Sequence, residues 1–247
     1  AYLQTAQDRA ARRVVEEMEA AVAAMGARDV YLSAGQFAQA AIPARYALER
    51  SAWREAAALA PIQTRVPWIA ALTHFARALG AARDGHPASA REDLAALEKL
   101  QQALAGKDDY WAEQVAIQHL AAGAWVLFAE GRRDEAIAQL RSAADREDAT
   151  DKSAISPGPL APAREQLGEM LLEAGRPAEA LEAFTRTMEK EPNRFRSLAG
   201  AARAAAAAGH RARARALYRQ LLDLAAPGDG DRPELAEARR VISASGG

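Results

Sequence analysis

The chain has no cysteine. That removes disulfides, thiolate nucleophiles and thiolate metal sites at once. Zero cysteine fits a cytosolic and an exported protein equally and does not choose between them. Aromatic residues make up only 6%, and β-branched runs are missing, so strands are not expected. No apolar run approaches the roughly 20 residues of a membrane span, and no signal peptide is visible. Charge of one sign is lacking too. Thirty-two basic residues face 33 acidic ones, for a net charge of -1 and a pI near 6.5. Such a balance disfavours a chain that binds polyanions over its whole surface. What is abundant is alanine, about a quarter of the 247 residues and the best helix former. Hydrophobic residues reach 50%, enough for a sizeable core at this length.

Motifs of catalysis are also absent. There is no His-Glu-x-x-His pair, no phosphate loop and no Gly-x-Ser-x-Gly elbow. The four histidines are His74, His86, His119 and His210. His86 and His210 each follow a turn glycine, and His74 and His119 lie inside helical patterns, where a hydrogen-bonded structural role is the expectation. The neighbours Glu16 and Glu17, and Asp108 and Asp109, point in different directions on a helix and form no acid–base dyad. The acidic stretches 145–151 and 229–234 lack the alternating ligands of a calcium loop. No metal or cofactor is expected, and the chain reads as non-catalytic.

A short turn recurs instead. It reads Gly131-Arg-Arg-Asp-Glu-Ala136 and Gly175-Arg-Pro-Ala-Glu-Ala180, with weaker copies beginning at Ala6, Ser51, Gly85 and Gly209. Glycine there can take the positive φ that ends a helix, and the alanine sits where two helices approach too closely for a larger side chain. The six turns are separated by 45, 34, 46, 44 and 34 residues. Periods of this size signify stacked helical hairpins, each burying its apolar face against its neighbours. The longer spacings require longer helices or inserted loops. The stretch from Asp108 to Glu130 fits one helix of about six turns. The stretch 147–162, rich in proline, glycine and polar residues, reads as a loop.

Residues 161–194 carry Leu167-Gly168, Leu171, Gly175, Ala180, Phe184 and Pro192. This pattern resembles the tetratricopeptide repeat, a helical hairpin of 34 residues. The resemblance makes Gly168 the small residue of helix A, Ala180 the small residue of helix B, and Phe184 the aromatic packed against them. Thr187 stands where the family usually has alanine. Residues 195–228 keep the period, residues 117–148 follow it, and residues 37–70 and 71–104 are degenerate copies. The implied fold is all-α: a single right-handed solenoid of about five hairpins over residues 1–247, closed by a capping helix at 233–244. Proline at the first turn of that helix is well placed. At the other end, Tyr2-Leu3 precedes the Ala6 turn with no leading helix. The expectation is the C-terminal part of a longer tetratricopeptide chain, with Leu3, Val14, Val15 and Met18 exposing an apolar strip.

In this family helix A of each repeat lines a concave groove that takes peptides. Carried over by position, the groove comprises Leu72, Phe75 and Leu79; Gln118, Trp125 and Phe128; Glu165, Glu169 and Glu173; and Arg196 and Arg203. Trp125 and Phe128 read either as an anchor for a partner or as packing on the neighbouring helix. Seven glutamates between 165 and 191 are followed by seven arginines and no acid between 194 and 222. Salt bridging between the two repeats is the favoured reading, and an anion site at Arg196 and Arg203 the alternative. Arg211, Arg215 and Arg219 form a further stripe on helix B, read as facing solvent. The family's carboxylate clamp is not reproduced: glutamates hold the first repeat's clamp positions, and Gly200 stands where a later arginine would be.

The function implied is protein–protein interaction, with a peptide or partner helix in the groove, as in many multi-repeat bacterial proteins. Two alternatives stay open. One is self-association through the uncapped N-terminal helices. The other is a small-ligand or enzymatic pocket formed by Gln118, His119 and the 147–162 loop beside Trp111. Binding of single-stranded nucleic acid is disfavoured, because only Phe195 and Tyr218 interleave with the arginines.

Overall fold

The computed structural model describes residues 1–24, 33–150 and 158–244. Among the described residues the protein is all-helical, with twelve α-helices, two short 3-10 turns and no strand. Each sequence turn is a helix end. Ala6, Ser51, Gly85, Gly131, Gly175 and Gly209 all adopt positive φ, between 54° and 85°. The chain divides into two compact units, Val14–Ala163 and a second made of Ala1–Arg13 with Arg164–Gly247. The division falls inside α1 (Asp8–Ala24) and at the start of α8 (Ala163–Glu173).

The first unit contains α2 (Ser33–Glu49), α3 (Trp53–Ala57), α4 (Pro67–Arg83), α5 (Ala90–Leu104), α6 (Asp109–Ala129) and α7 (Arg133–Ala149). They form three hairpins, with α2 packing on α4 and α4 on α6. Proline starts α4 at its first turn, where the missing N–H costs nothing. Asp108 caps α6 by accepting the Trp111 N–H at 3.2 Å. That cap sets the single long helix expected over this stretch. Helix α3 is shorter than the 34-residue pattern implies. Pro61 follows it, and the residue before Pro67 is biased to extended backbone, so residues 58–66 run without helix. Gly80 of α4 lies against this short helix: a Cβ there would sit 2.5 Å from the Ala57 nitrogen.

Part of the expected loop at 147–162, residues 151–157, lies outside the described residues. Helix α7 continues through Glu147 to Ala149. Past the undescribed stretch, Arg45 of α2 donates to the carbonyls of Gly158 and Pro159 at 2.8 and 3.0 Å.

The second unit contains α8, α9 (Pro177–Lys190), α10 (Phe195–Ala207), α11 (Arg211–Leu224) and α12 (Pro233–Ser243). Phe184 of α9 is fully buried. A Cβ at Gly168 of α8 would meet its ring at 2.8 Å, and one at Gly200 of α10 at 2.3 Å. The aromatic is therefore held between two helices that must both be bare at the contact. Helix α12 packs on α11 and buries Leu235 and Ala238, as a capping helix does.

The N-terminal end departs from the expectation. Tyr2–Thr5 is a 3-10 turn, and the segment closes onto the last repeats rather than standing open. Gln4 Oε1 accepts the Phe195 N–H at the start of α10, 2.8 Å. Asp229 accepts the Arg9 and Ala10 N–H groups at 2.8 and 3.1 Å, capping α1 from 220 residues away. Asp8 receives both Arg232 Nε and Nη2, at 2.9 and 2.6 Å. Val15 is buried, and Leu3, Val14 and Met18 are half-buried. None of the four residues inferred to form an exposed strip is fully exposed. Pairing over such separations leaves no local periodicity to read.

Candidate protein-interaction site

In the first unit three consecutive A-helices, α2, α4 and α6, each place an aromatic residue near the N-terminal end. Phe37, Trp68 and Trp111 are all half-buried. The Trp68 and Trp111 rings stack at 4.0 Å between centroids and 7° between planes. Phe37 lies 5.8 Å from Trp68, and Tyr110 meets Trp111 edge-on at 5.0 Å. Stacking of this kind contributes about 0.5–1.5 kcal/mol beyond area burial. A bond of 2.7 Å from Thr64 to Gln36 links α2 to the segment entering α4 beside the patch.

Four of the six groove residues inferred for this unit are buried behind such a surface. Phe75, Leu79 and Trp125 are buried, as is Leu72. Trp125, 2% exposed, carries the Arg83 guanidinium 3.9 Å above its ring, and Arg83 also faces Trp53 at 4.9 Å. Of the two readings of Trp125, its place is that of internal packing. Phe128 contacts Trp125 edge-on at 5.6 Å and stays half-exposed, with Arg133 5.8 Å over its ring. Gln118 is half-buried on the same helix.

The charged candidates are paired. Glu165, 1% exposed at its side chain, receives Arg194 at 2.8 and 2.9 Å and the Ser197 hydroxyl. Burial by itself would raise the Glu165 carboxyl. The charge and hydrogen bonds of Arg194, with Arg196 and Ser197, outweigh it and hold the group below its ordinary range. Glu169 accepts from Arg196 at 2.6 to 3.0 Å. Arg203 instead reaches Glu237 of α12 at 2.7 Å, where the Tyr218 hydroxyl also donates at 2.6 Å. Burial and that hydrogen bond push the tyrosine up. Burial opposes ionisation of Glu237, yet its two partners keep it below the usual glutamate value. Arg196 and Arg203 therefore do not converge: one ties α10 to α8, the other ties α10 to α12.

His74 takes a structural place. Asp93 of α5 is buried and joins His74 at 2.7 Å and Arg77 at 2.9 and 3.1 Å, while Arg77 donates to the Leu59 carbonyl. This cluster fastens the extended segment after α3 to the α4–α5 hairpin. His119 is held below its ordinary value by burial, against the opposing charge of Glu98. Among the described residues no three His, Asp or Glu side chains come together in a way that could hold a metal ion. None of their helices is long and apolar enough to cross a membrane.

Residues 171–241 match the family model of the tetratricopeptide repeat. The chain is a tetratricopeptide-repeat-containing protein. Comparison with curated proteins gave no match. Tetratricopeptide repeats are interaction modules whose partners are proteins, and this chain's consecutive helical hairpins suit that role. The sequence reading missed Phe37, Trp68 and Tyr110. A signal was present: Pro67-Trp68 and Asp108-Asp-Tyr-Trp111 both set an aromatic into the first turn of an A-helix. Only the stacking of those helices side by side joins them into one patch.

Proposed function

We propose that this tetratricopeptide protein is a non-catalytic interaction scaffold that engages a peptide or partner helix along the A-helix face of its repeats. The anchor in this reading is the patch of Phe37, Trp68, Tyr110 and Trp111, with Phe128 and Gln118 further along α6. The stacked, half-buried pair Trp68 and Trp111 carries it. Large rigid aromatics that remain partly exposed while fixed by neighbours are the usual form of an interaction hot spot. Phe75, Leu79 and Trp125 serve as the packed layer that supports the face, and the Glu169–Arg196 and Arg203–Glu237 pairs fix the repeats in register.

The test is affinity capture from the native host with wild type, Trp111→Ala and Trp68→Ala as baits. Each variant is first checked for unchanged helical circular dichroism. Truncating a hot-spot residue costs about 2 kcal/mol or more, so a captured partner is expected to fall at least tenfold. Full recovery on both folded variants would overturn the anchor.

A further inference from the structure

Helix α11 is built against its own electrostatics. Its inward face buries Ala214, Leu217, Tyr218 and Leu221. On another face stand Arg211, Arg215 and Arg219, spaced four residues apart, with Arg211 and Arg219 exposed and Arg215 half-buried. Like charges at this spacing repel. Arg211 also sits in the first turn, where the helix dipole disfavours a cation, and no acid lies in that turn to offset it.

Elsewhere in the same unit arginines find partners. Arg194, Arg196, Arg203 and Arg232 each pair with a carboxylate, and Arg213, on this same helix, donates to Thr185. Among the described residues, the side chains of Arg211, Arg215 and Arg219 make no ion pair or hydrogen bond. Asp223, four residues beyond Arg219 and the only acid of the helix, does not reach it. The Arg215 Nε is shielded from solvent and has no hydrogen-bond partner, which is costly for a charged group. A helix that tolerates repulsion, an unfavourable dipole and an unmet donor on one stripe is locally in conflict with its fold, and such conflicts collect at functional surfaces.

We infer that this stripe is a docking surface for an acidic helix of a protein partner, with carboxylates repeating every four residues. The charges match in sign. They match in pitch too, since residues four apart on a helix are about 6 Å apart along its axis. Guanidinium forks pair bidentately with carboxylates. A nucleic acid fits less well. The stripe covers only two turns, the chain as a whole is slightly acidic, and the nearby aromatics are occupied: Tyr218 is buried, and the Phe195 ring lies 4.4 Å under Arg232. This surface lies on the second helix of its repeat and is independent of the tryptophan patch.

The experiment titrates the full chain with a fluorescent helical peptide bearing glutamate at every fourth position. Comparison probes are the same peptide with glutamine and a single-stranded oligonucleotide of equal charge. The glutamate peptide is expected to bind at least tenfold tighter than the glutamine peptide. That preference disappears in the triple variant Arg211→Gln, Arg215→Gln, Arg219→Gln and survives in the control Arg239→Gln. The triple variant also melts at a higher temperature than wild type, because the repulsion is gone. Equal binding of the two peptides, retention of the preference in the triple variant, a lowered melting temperature in that variant, or tighter binding of the oligonucleotide would each overturn the inference.

Discussion

Phe184 shows how strictly single positions are set. Its ring fills the space left by Gly168 and Gly200, and a Cβ at Gly200 would stand 2.3 Å from the ring, far inside van der Waals contact. Gly200→Ala is expected to cost about 1–3 kcal/mol, the range for overpacking. Urea unfolding followed by circular dichroism measures it. Combining it with Phe184→Leu should recover part of that loss, so a double-mutant cycle with no coupling would count against this packing. Gly168 and Phe184 were readable from the repeat pattern. The reason for Gly200 was not, because it depends on a ring supplied by the preceding hairpin. Glu165 teaches the same lesson in electrostatics. Its position on helix A suggested a groove wall, but the structure surrounds it with Arg194, Arg196 and Ser197.

At the scale of elements, the turns decide where helices stop. Five described glycines adopt positive φ, four of them at the repeated turn, and at two equivalent turns a side chain does so instead: Ala6 at 55° and Ser51 at 54°. A left-handed backbone costs a residue with a Cβ about 1–2 kcal/mol relative to glycine. Ser51→Gly is therefore expected to stabilise the protein by up to about 1 kcal/mol, after the entropy glycine adds to the unfolded chain. Thermal unfolding checks it, and a lower melting temperature would show that the serine is held there by more than backbone geometry. The long helix α6 was legible because its apolar pattern and Asp108 cap are local. The shortness of α3 was less so: an alanine-rich segment continues the helical pattern until Pro61 ends it.

On the scale of the molecule, the second unit joins both ends of the chain. Asp8 and Arg232, with side chains 15% and 6% exposed, pair across 224 residues. Removing one partner of a mostly buried ion pair leaves the other uncompensated, at a cost of about 3–5 kcal/mol. Asp8→Ala is expected to raise amide hydrogen exchange in α10 and α12 while residues 33–150 keep their protection. Faster exchange confined to the first unit would contradict this division of the fold.

The sequence by itself determined the helical hairpins, their turns and their family, because those follow from local periodicity, backbone propensity and the reach of a few residues. Only the tertiary structure decided which side chains the hairpins bury and which they bring together. It closed the N-terminal segment onto the last repeats, turned Trp125 inward, spent Arg196 and Arg203 on neighbouring glutamates, and stacked Trp68 on Trp111. Those outcomes depend on contacts between residues tens to hundreds of positions apart, whose geometry exists only once the helices have packed.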